Sequence, residues 1–337
     1  MTKYLLRTSA IAAIIIGAQS ASLMAQEADV AISDWPRPAE FPNEDREAAM
    51  EHFRKARAFA VGDLFADFTL RCITNPKYRE RVNNEQYDGI VEPTKVFDQL
   101  YRVGQMKVSA WALDTSDGIV LFDALNNEAE AREVIEPAMR EVGLDPQRIK
   151  WVIVTHGHAD HFGGAPYFQK TYGAKAISSD ADWNSMEGTP MRVPAPTRDI
   201  TVADGQTMMF GNVPITFYVT PGHTEGTLST IFPVTDRGVA HVVGFYGGVG
   251  LPREVATKRA QIASLVRWRG IADQAGVDAQ IGNHPLNDEG LERDEQLRYR
   301  SEQDPNPYVL GRDMYRNYLG IQEECVRFSL ARDGLRE

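Results

Sequence analysis

A strand of the fully buried type runs straight into a cluster of metal-ligating side chains, and this junction constrains the chain more than any other feature. Ile149-Lys150-Trp151-Val152-Ile153-Val154 is the strand. His156-Gly157-His158-Ala159-Asp160-His161 follows one residue later. The chain has 337 residues and seven histidines, at 52, 156, 158, 161, 223, 241 and 284, and three of them fall within this short segment. Imidazole nitrogen and carboxylate oxygen are natural zinc donors at neutral pH. A loop at the end of a buried strand gives them a rigid base. His156 and His158 are two apart, so in extended chain they point the same way and can share one ion. Asp160 and His161 come where the chain turns toward a helix, and can face a second ion. The alternative is a chance gathering of histidines on a surface loop.

Two later histidines complete the pattern. His223, in Thr220-Pro221-Gly222-His223-Thr224-Glu225-Gly226, lies between two strands and suits a third ligand of the first ion. His284, in Gly282-Asn283-His284-Pro285, follows a short strand and suits the last ligand of the second. His52 sits in a helical pattern and His241 within a strand, so both are read as structural.

Around the cluster the chain alternates strand and helix patterns. Strands are predicted at Leu100–Val103, Val108–Leu113, Gly118–Phe122, Lys175–Ser178, Gln206–Met209, Ile215–Val219, Thr227–Phe232, Val239–Val243 and Ala279–Gly282. Helices are predicted over 44–67, 128–142 (capped by Asn126 or Asn127), 165–172, 180–187 (capped by Ser179) and 253–275, with a charged helical tail. Two halves of mixed strand and helix imply two packed sheets with helices outside.

The first residues have the form of a secretory signal: Lys3 and Arg7, then a short apolar run from Ala10 to Ala18, with cleavage placed after Ala25. An uncleaved N-terminal anchor is the alternative. The division expected is 1–25 signal peptide, 26–95 an extension with a helix, 96–287 the domain that carries the histidine cluster, and 288–337 a helical tail packed on it. An exported chain with only Cys72 and Cys325 suggests one disulfide, with two buried thiols as the alternative. A formal net charge of −11 argues against a nucleic-acid partner. The expectation is a periplasmic or secreted protein with a small-molecule substrate and no stable membrane insertion after signal removal. Its oligomeric state is left open.

The Thr155-His156-Gly157-His158-Ala159-Asp160-His161 segment, the Gly222-His223-Thr224 loop and Asn283-His284 together resemble the metallo-β-lactamase superfamily. The resemblance covers about residues 97–287 and implies an α/β fold, an αββα sandwich, with two zinc ions at one edge. By matching positions, His156, His158 and His223 would hold the first zinc, and Asp160, His161 and His284 the second. No cysteine lies between His223 and His284, and Val242–Gly248 carries no acid, so the pattern looks most like the third lactamase subclass, as a divergent member. Members of that subclass carry Ser or Thr where this chain has Phe245, Tyr246 and glycines.

The resemblance implies hydrolysis of a cyclic amide, such as a β-lactam, by a metal-bound hydroxide, with Asp160 orienting the nucleophile. Tyr246 and Tyr218 are expected donors to the oxyanion, packing in the core being the alternative for both. Asp123, at the end of a strand, is expected behind a histidine, capping a turn being the alternative. A lactonase or other ester hydrolase on the same dinuclear site is the second reading. A non-catalytic zinc-binding exported protein is the third; six ligands argue against it, because a structural zinc site closes at four.

Overall fold

The computed structural model describes residues 41–74, 89–188 and 193–336. The signal segment and the start of the extension, up to residue 40, lie outside them.

Two sheets face each other. The first contains β1 (Thr94–Lys95), β2 (Leu100–Arg102), β3 (Trp111–Thr115), β4 (Gly118–Phe122), β5 (Ile149–Ile153), β6 (Lys175–Ser179) and β7 (Ile200–Val202), side by side in chain order. It is antiparallel as far as β4 and parallel from there on. The second has the order β12-β11-β10-β9-β8, built from β8 (Thr207–Phe210), β9 (Val213–Val219), β10 (Leu228–Asp236), β11 (Val239–Phe245) and β12 (Ala279–Ile281). Only its β11–β12 pair is parallel. Residue chemistry follows position. Every residue of β4 is buried, as a strand covered on both faces requires. β9 instead alternates, with Val213, Ile215 and Phe217 buried and Pro214, Thr216 and Tyr218 half-buried. Trp111, Phe122, Phe217, Phe232 and Phe245 fill the space between the sheets.

Helices cover both outer faces. Over the first sheet lie α3, which runs from Glu128–Glu130 through a wide turn at Ala131–Ile135 to Glu136–Glu141, then α4 (Ala159–Phe162), α5 (Ala165–Tyr172) and α6 (Asp180–Gly188). Asn127 caps α3 by accepting the Glu130 N–H. Gly173 ends α5 in the left-handed conformation. Over the second sheet lie α1 (Arg46–Phe59), α2 (Leu64–Phe68) and α7 (Val255–Ala275). After α8 (Pro285–Asp288) and α9 (Gly290–Arg298), the long α10 (Arg312–Arg332) joins the same layer. The expected αββα sandwich is therefore the fold observed.

One strand begins later than its residues suggest. The Val108–Leu113 run enters β3 only at Trp111, because Ser109 donates its backbone N–H to the Asn283 carbonyl and ties this stretch to the end of β12.

The described parts of the extension and the tail share one apolar cluster with α7. The α1–α10 contact is close: a Cβ on Gly320 would lie 2.7 Å from the Phe59 ring. Cys72 and Cys325 form a disulfide across this layer.

Asp67, in α2, is buried in the same region, with one carboxylate oxygen that has no hydrogen-bond partner among the described residues. Burial, reinforced by Glu289 and opposed by Arg293, pushes its carboxyl up to about 7. The folded state then keeps a proton that the unfolded chain releases, so this group costs stability as pH rises from the ordinary carboxylate range toward 7. Asp67→Asn should match wild type near pH 4 and exceed it by roughly 1–3 kcal/mol at pH 8. Urea unfolding at the two pH values checks this.

Candidate metal centre

All the predicted ligands arrive at one edge of the sandwich. β5 delivers His156 to His161, the turn between β9 and β10 delivers His223, and the end of β12 delivers His284. The Leu228 N–H donates to the Thr155 carbonyl at 2.7 Å and locks β10 to the segment after β5, joining the two sheets beside the cluster.

Two groups of donors form. The rings of His156, His158 and His223 sit edge to face, with centroids 4.4–4.9 Å apart. Asp160, His161 and His284 make the second group. There the His161 Nε2 lies 3.2 Å from His284 Nε2 and 3.2 Å from an Asp160 oxygen, which is 3.8 Å from His284 Nε2. Within each group the donor atoms lie within 4.8 Å of one another. The groups adjoin, the His156 and His161 ring centroids being 3.9 Å apart.

The outer nitrogens of three rings are fixed by acceptors. His156 Nδ1–H donates to the Gly247 carbonyl at 2.9 Å, and His284 Nδ1–H to the Lys107 carbonyl at 2.8 Å. His161 Nδ1–H donates to Asp123 at 2.7 Å. A carbonyl cannot donate, so each Nε2 of His156 and His284 is left with its lone pair facing the cluster. His156 Nε2 is fully buried and finds no hydrogen-bond partner among the described residues. Such an orphan costs about 1–3 kcal/mol unless something satisfies it. A divalent cation does so, and three imidazoles facing one point are a donor set that fits zinc. The second set, two imidazoles and a carboxylate, fits equally.

Burial, helped by repulsion among the rings, holds His156 well below its usual range and pulls His223 to about 3 and His284 to about 4. These rings are neutral donors at pH 7, as ligation demands. Burial acts downward on His161 too, but Asp160 and Asp123 outweigh it and raise that ring to about 10. A cation at its Nε2 would take the place of the proton.

Asp123 is where the sequence suggested. Its oxygens accept from the Thr155 N–H and hydroxyl, both at 2.8 Å, as well as from His161. Its φ of +61° is in the left-handed region, at a cost of about 1 kcal/mol, a strain of the kind concentrated at functional sites. Asp123→Asn, which presents a donor to one of these groups, should weaken the second metal position about 10- to 100-fold, measurable by zinc competition titration.

Tyr246 is not at the cluster. Strand alternation sends Phe245 between the sheets and Tyr246 to the opposite face, against Trp268 of α7 with ring centroids 6.0 Å apart. Its hydroxyl is sealed and without a hydrogen-bond partner among the described residues. Burial raises its pKa further. Tyr218 packs on the same tryptophan. Tyr246 therefore packs in the core, the alternative reading, and the half-buried Tyr218 packs against the same cluster. His52 pairs with Glu324 and His241 with Asp278, away from the cluster, consistent with structural roles.

Sequence reading missed three supports. The Asn283 Nδ2–H donates to the Gly247 carbonyl at 2.6 Å, fixing the acceptor that orients His156. Gln261 on α7 donates to the Gly248 and Gly250 carbonyls at 3.0 and 3.1 Å. Those glycines press on His223: a Cβ on Gly250 would lie 2.6 Å from its ring, and one on Gly248 would lie 2.6 Å from its Cβ. Asp182 bonds to two ligand loops at once.

The profile of the metallo-beta-lactamase superfamily matches residues 103–236. A hydroxyacylglutathione hydrolase of Gloeobacter violaceus is 30% identical over 184 residues, which is 52% of this chain and 68% of that protein. The chain belongs to the metallo-β-lactamase superfamily. Another hydroxyacylglutathione hydrolase, from Acidiphilium cryptum, is 31% identical over 109 residues, 32% of this chain and 40% of that one. The chain spans 40% and 49% of the lengths of the first two curated relatives it matches. Among solved structures, a subclass B3 metallo-beta-lactamase of Bradyrhizobium japonicum superposes with a TM-score of 0.61 at 22% identity, covering 71% of this chain and 94% of that one. These low identities mark a divergent member of the superfamily.

Proposed function

We propose that this protein is an exported hydrolase that works with two zinc ions, one held by His156, His158 and His223 and the other by Asp160, His161 and His284, on a cyclic amide such as a β-lactam. The observation that carries this reading is the pair of three-donor groups meeting at one sheet edge, with the His156 Nε2 unsatisfied among the described residues. When bound, the ions would supply Lewis acidity and a water acidified toward neutral pH.

The chain's own groups then hold and orient. Gly247, Lys107 and Asp123 fix the ring tautomers. Asp160 is partly open to solvent, with its side chain 32% exposed, so one carboxylate can both ligate and accept a hydrogen bond from the attacking water. His158 is exposed and forms the open rim of the site. The glycines at 247, 248 and 250 bring backbone, in place of Ser or Thr side chains, against this edge.

The curated relatives support a second substrate class. Several carry the name hydroxyacylglutathione hydrolase, so an ester, thioester or lactone is the competing substrate on the same residues. Export is supported by the disulfide among the described residues. Turnover of a chromogenic cephalosporin against a lactone and a thioester, with and without prior chelation, is the test. The expected result is chelator-sensitive turnover of the cephalosporin. Chelator-sensitive turnover of the other substrates alone would move the assignment to the ester class. Activity indifferent to chelation would overturn the reading.

A further inference from the structure

We propose that Asp182 is a positioning residue that sets the spacing of the three-histidine group, by tying the loop that carries His156 and His158 to the loop that carries His223. The inference rests on the reading that those histidines bind a metal ion.

Asp182 lies in the first turn of α6 and is 1% exposed. One oxygen accepts the Gly157 N–H at 3.0 Å and the Thr224 hydroxyl at 2.9 Å. The other accepts the Gly226 N–H at 3.1 Å. Gly157 sits between two ligands, and Thr224 directly follows the third. The first loop leaves the first sheet, and the second loop belongs to the other sheet. One buried carboxylate therefore bridges the two sheets behind the ligands, touching the backbone on either side of them.

The surroundings are shaped for this contact. Ser179 donates its hydroxyl to the Gly226 carbonyl at 2.6 Å. A Cβ at residue 226 would lie 2.2 Å from that hydroxyl oxygen and 2.4 Å from the Asp182 nitrogen, so only glycine lets the loop come this close. The Thr224 hydroxyl and N–H also reach the Thr227 hydroxyl, at 2.7 and 3.0 Å, which fixes the rotamer aimed at Asp182.

Three donors converge on Asp182. A carboxylate accepts all three and donates nothing. An amide of the same shape would turn an N–H against at least one donor, so Asp182→Asn alters the bridge with little change in volume.

Titration of the metal-free protein with cobalt(II) ions, followed by heat and by the visible absorption of the bound ion, separates the outcomes. Wild type is expected to bind two ions. Asp182→Asn should bind the ion at the three-histidine group about 10- to 100-fold more weakly, with the second position much less affected and the cobalt spectrum of the first altered. Thr224→Val removes one of the three donors and leaves the carboxylate in place. It should weaken the same position about fivefold, and it serves if Asp182→Asn does not fold. Unchanged affinities and spectra in the variants overturn the role of Asp182. Wild type that binds no cobalt overturns instead the metal reading beneath it.

Discussion

His158→Ala is expected to reduce turnover at least about a thousandfold, the rate equivalent of several kcal/mol of lost stabilisation. Far-UV circular dichroism and thermal unfolding should stay near wild type. The two halves of this expectation have separate causes. His158 is solvent-exposed and belongs to no apolar cluster, so its loss leaves no cavity. Its ring stands 4.9 Å from that of His156 and 4.7 Å from that of His223, so its loss would leave the three-histidine group with two donors for an ion. A rate unchanged by this substitution would remove the metal mechanism.

Replacing both Cys72 and Cys325 with serine should cost about 3–5 kcal/mol. The bridge spans a sequence separation of 253, which puts its loop-closure contribution near the top of the range that chain entropy allows. For a domain of this size the melting temperature should fall by on the order of 10 °C, in calorimetry with and without reductant. The effect reaches toward the site as well as the outer layer. Arg71, beside Cys72, donates to the Val249 carbonyl and to Gln261, the residue that holds the glycine loop against His223. A melting temperature indifferent to the double substitution would show that α1, α2 and α10 hold their layer without the bridge.

What was legible in the sequence was local. The ligands at 156, 158, 160 and 161 are close in the chain and follow a strand whose apolar character is plain, so short-range pattern sufficed. His223 and His284 were found because each sits in a tight loop after a strand. The αββα layers followed from where strand and helix patterns alternate. Asp123 was accessible because it ends β4, beside the start of the ligand loop.

The misses were contacts over long sequence distance. Asp182 follows Ser179 by three residues, which reads as the acid of a helix cap. The Asp182 N–H does meet the Ser179 hydroxyl, at 3.3 Å, but the carboxylate turns away to Gly157 and Gly226. Gln261 lies within the helix predicted over 253–275, and only packing of α7 on the Gly248–Gly250 loop gives it a role. Tyr246 was misplaced for a different reason. The predicted β11 stopped at Val243, while the observed strand runs to Phe245, and extending its alternation by two residues turns Tyr246 toward the helices.

Metal analysis of the purified protein tests the account most directly. Two zinc equivalents per chain are predicted, falling to about one in Asp160→Asn/His284→Ala, where the three-histidine group alone is intact. A chain that retained no divalent metal after exhaustive zinc loading and desalting, while folded, would contradict it.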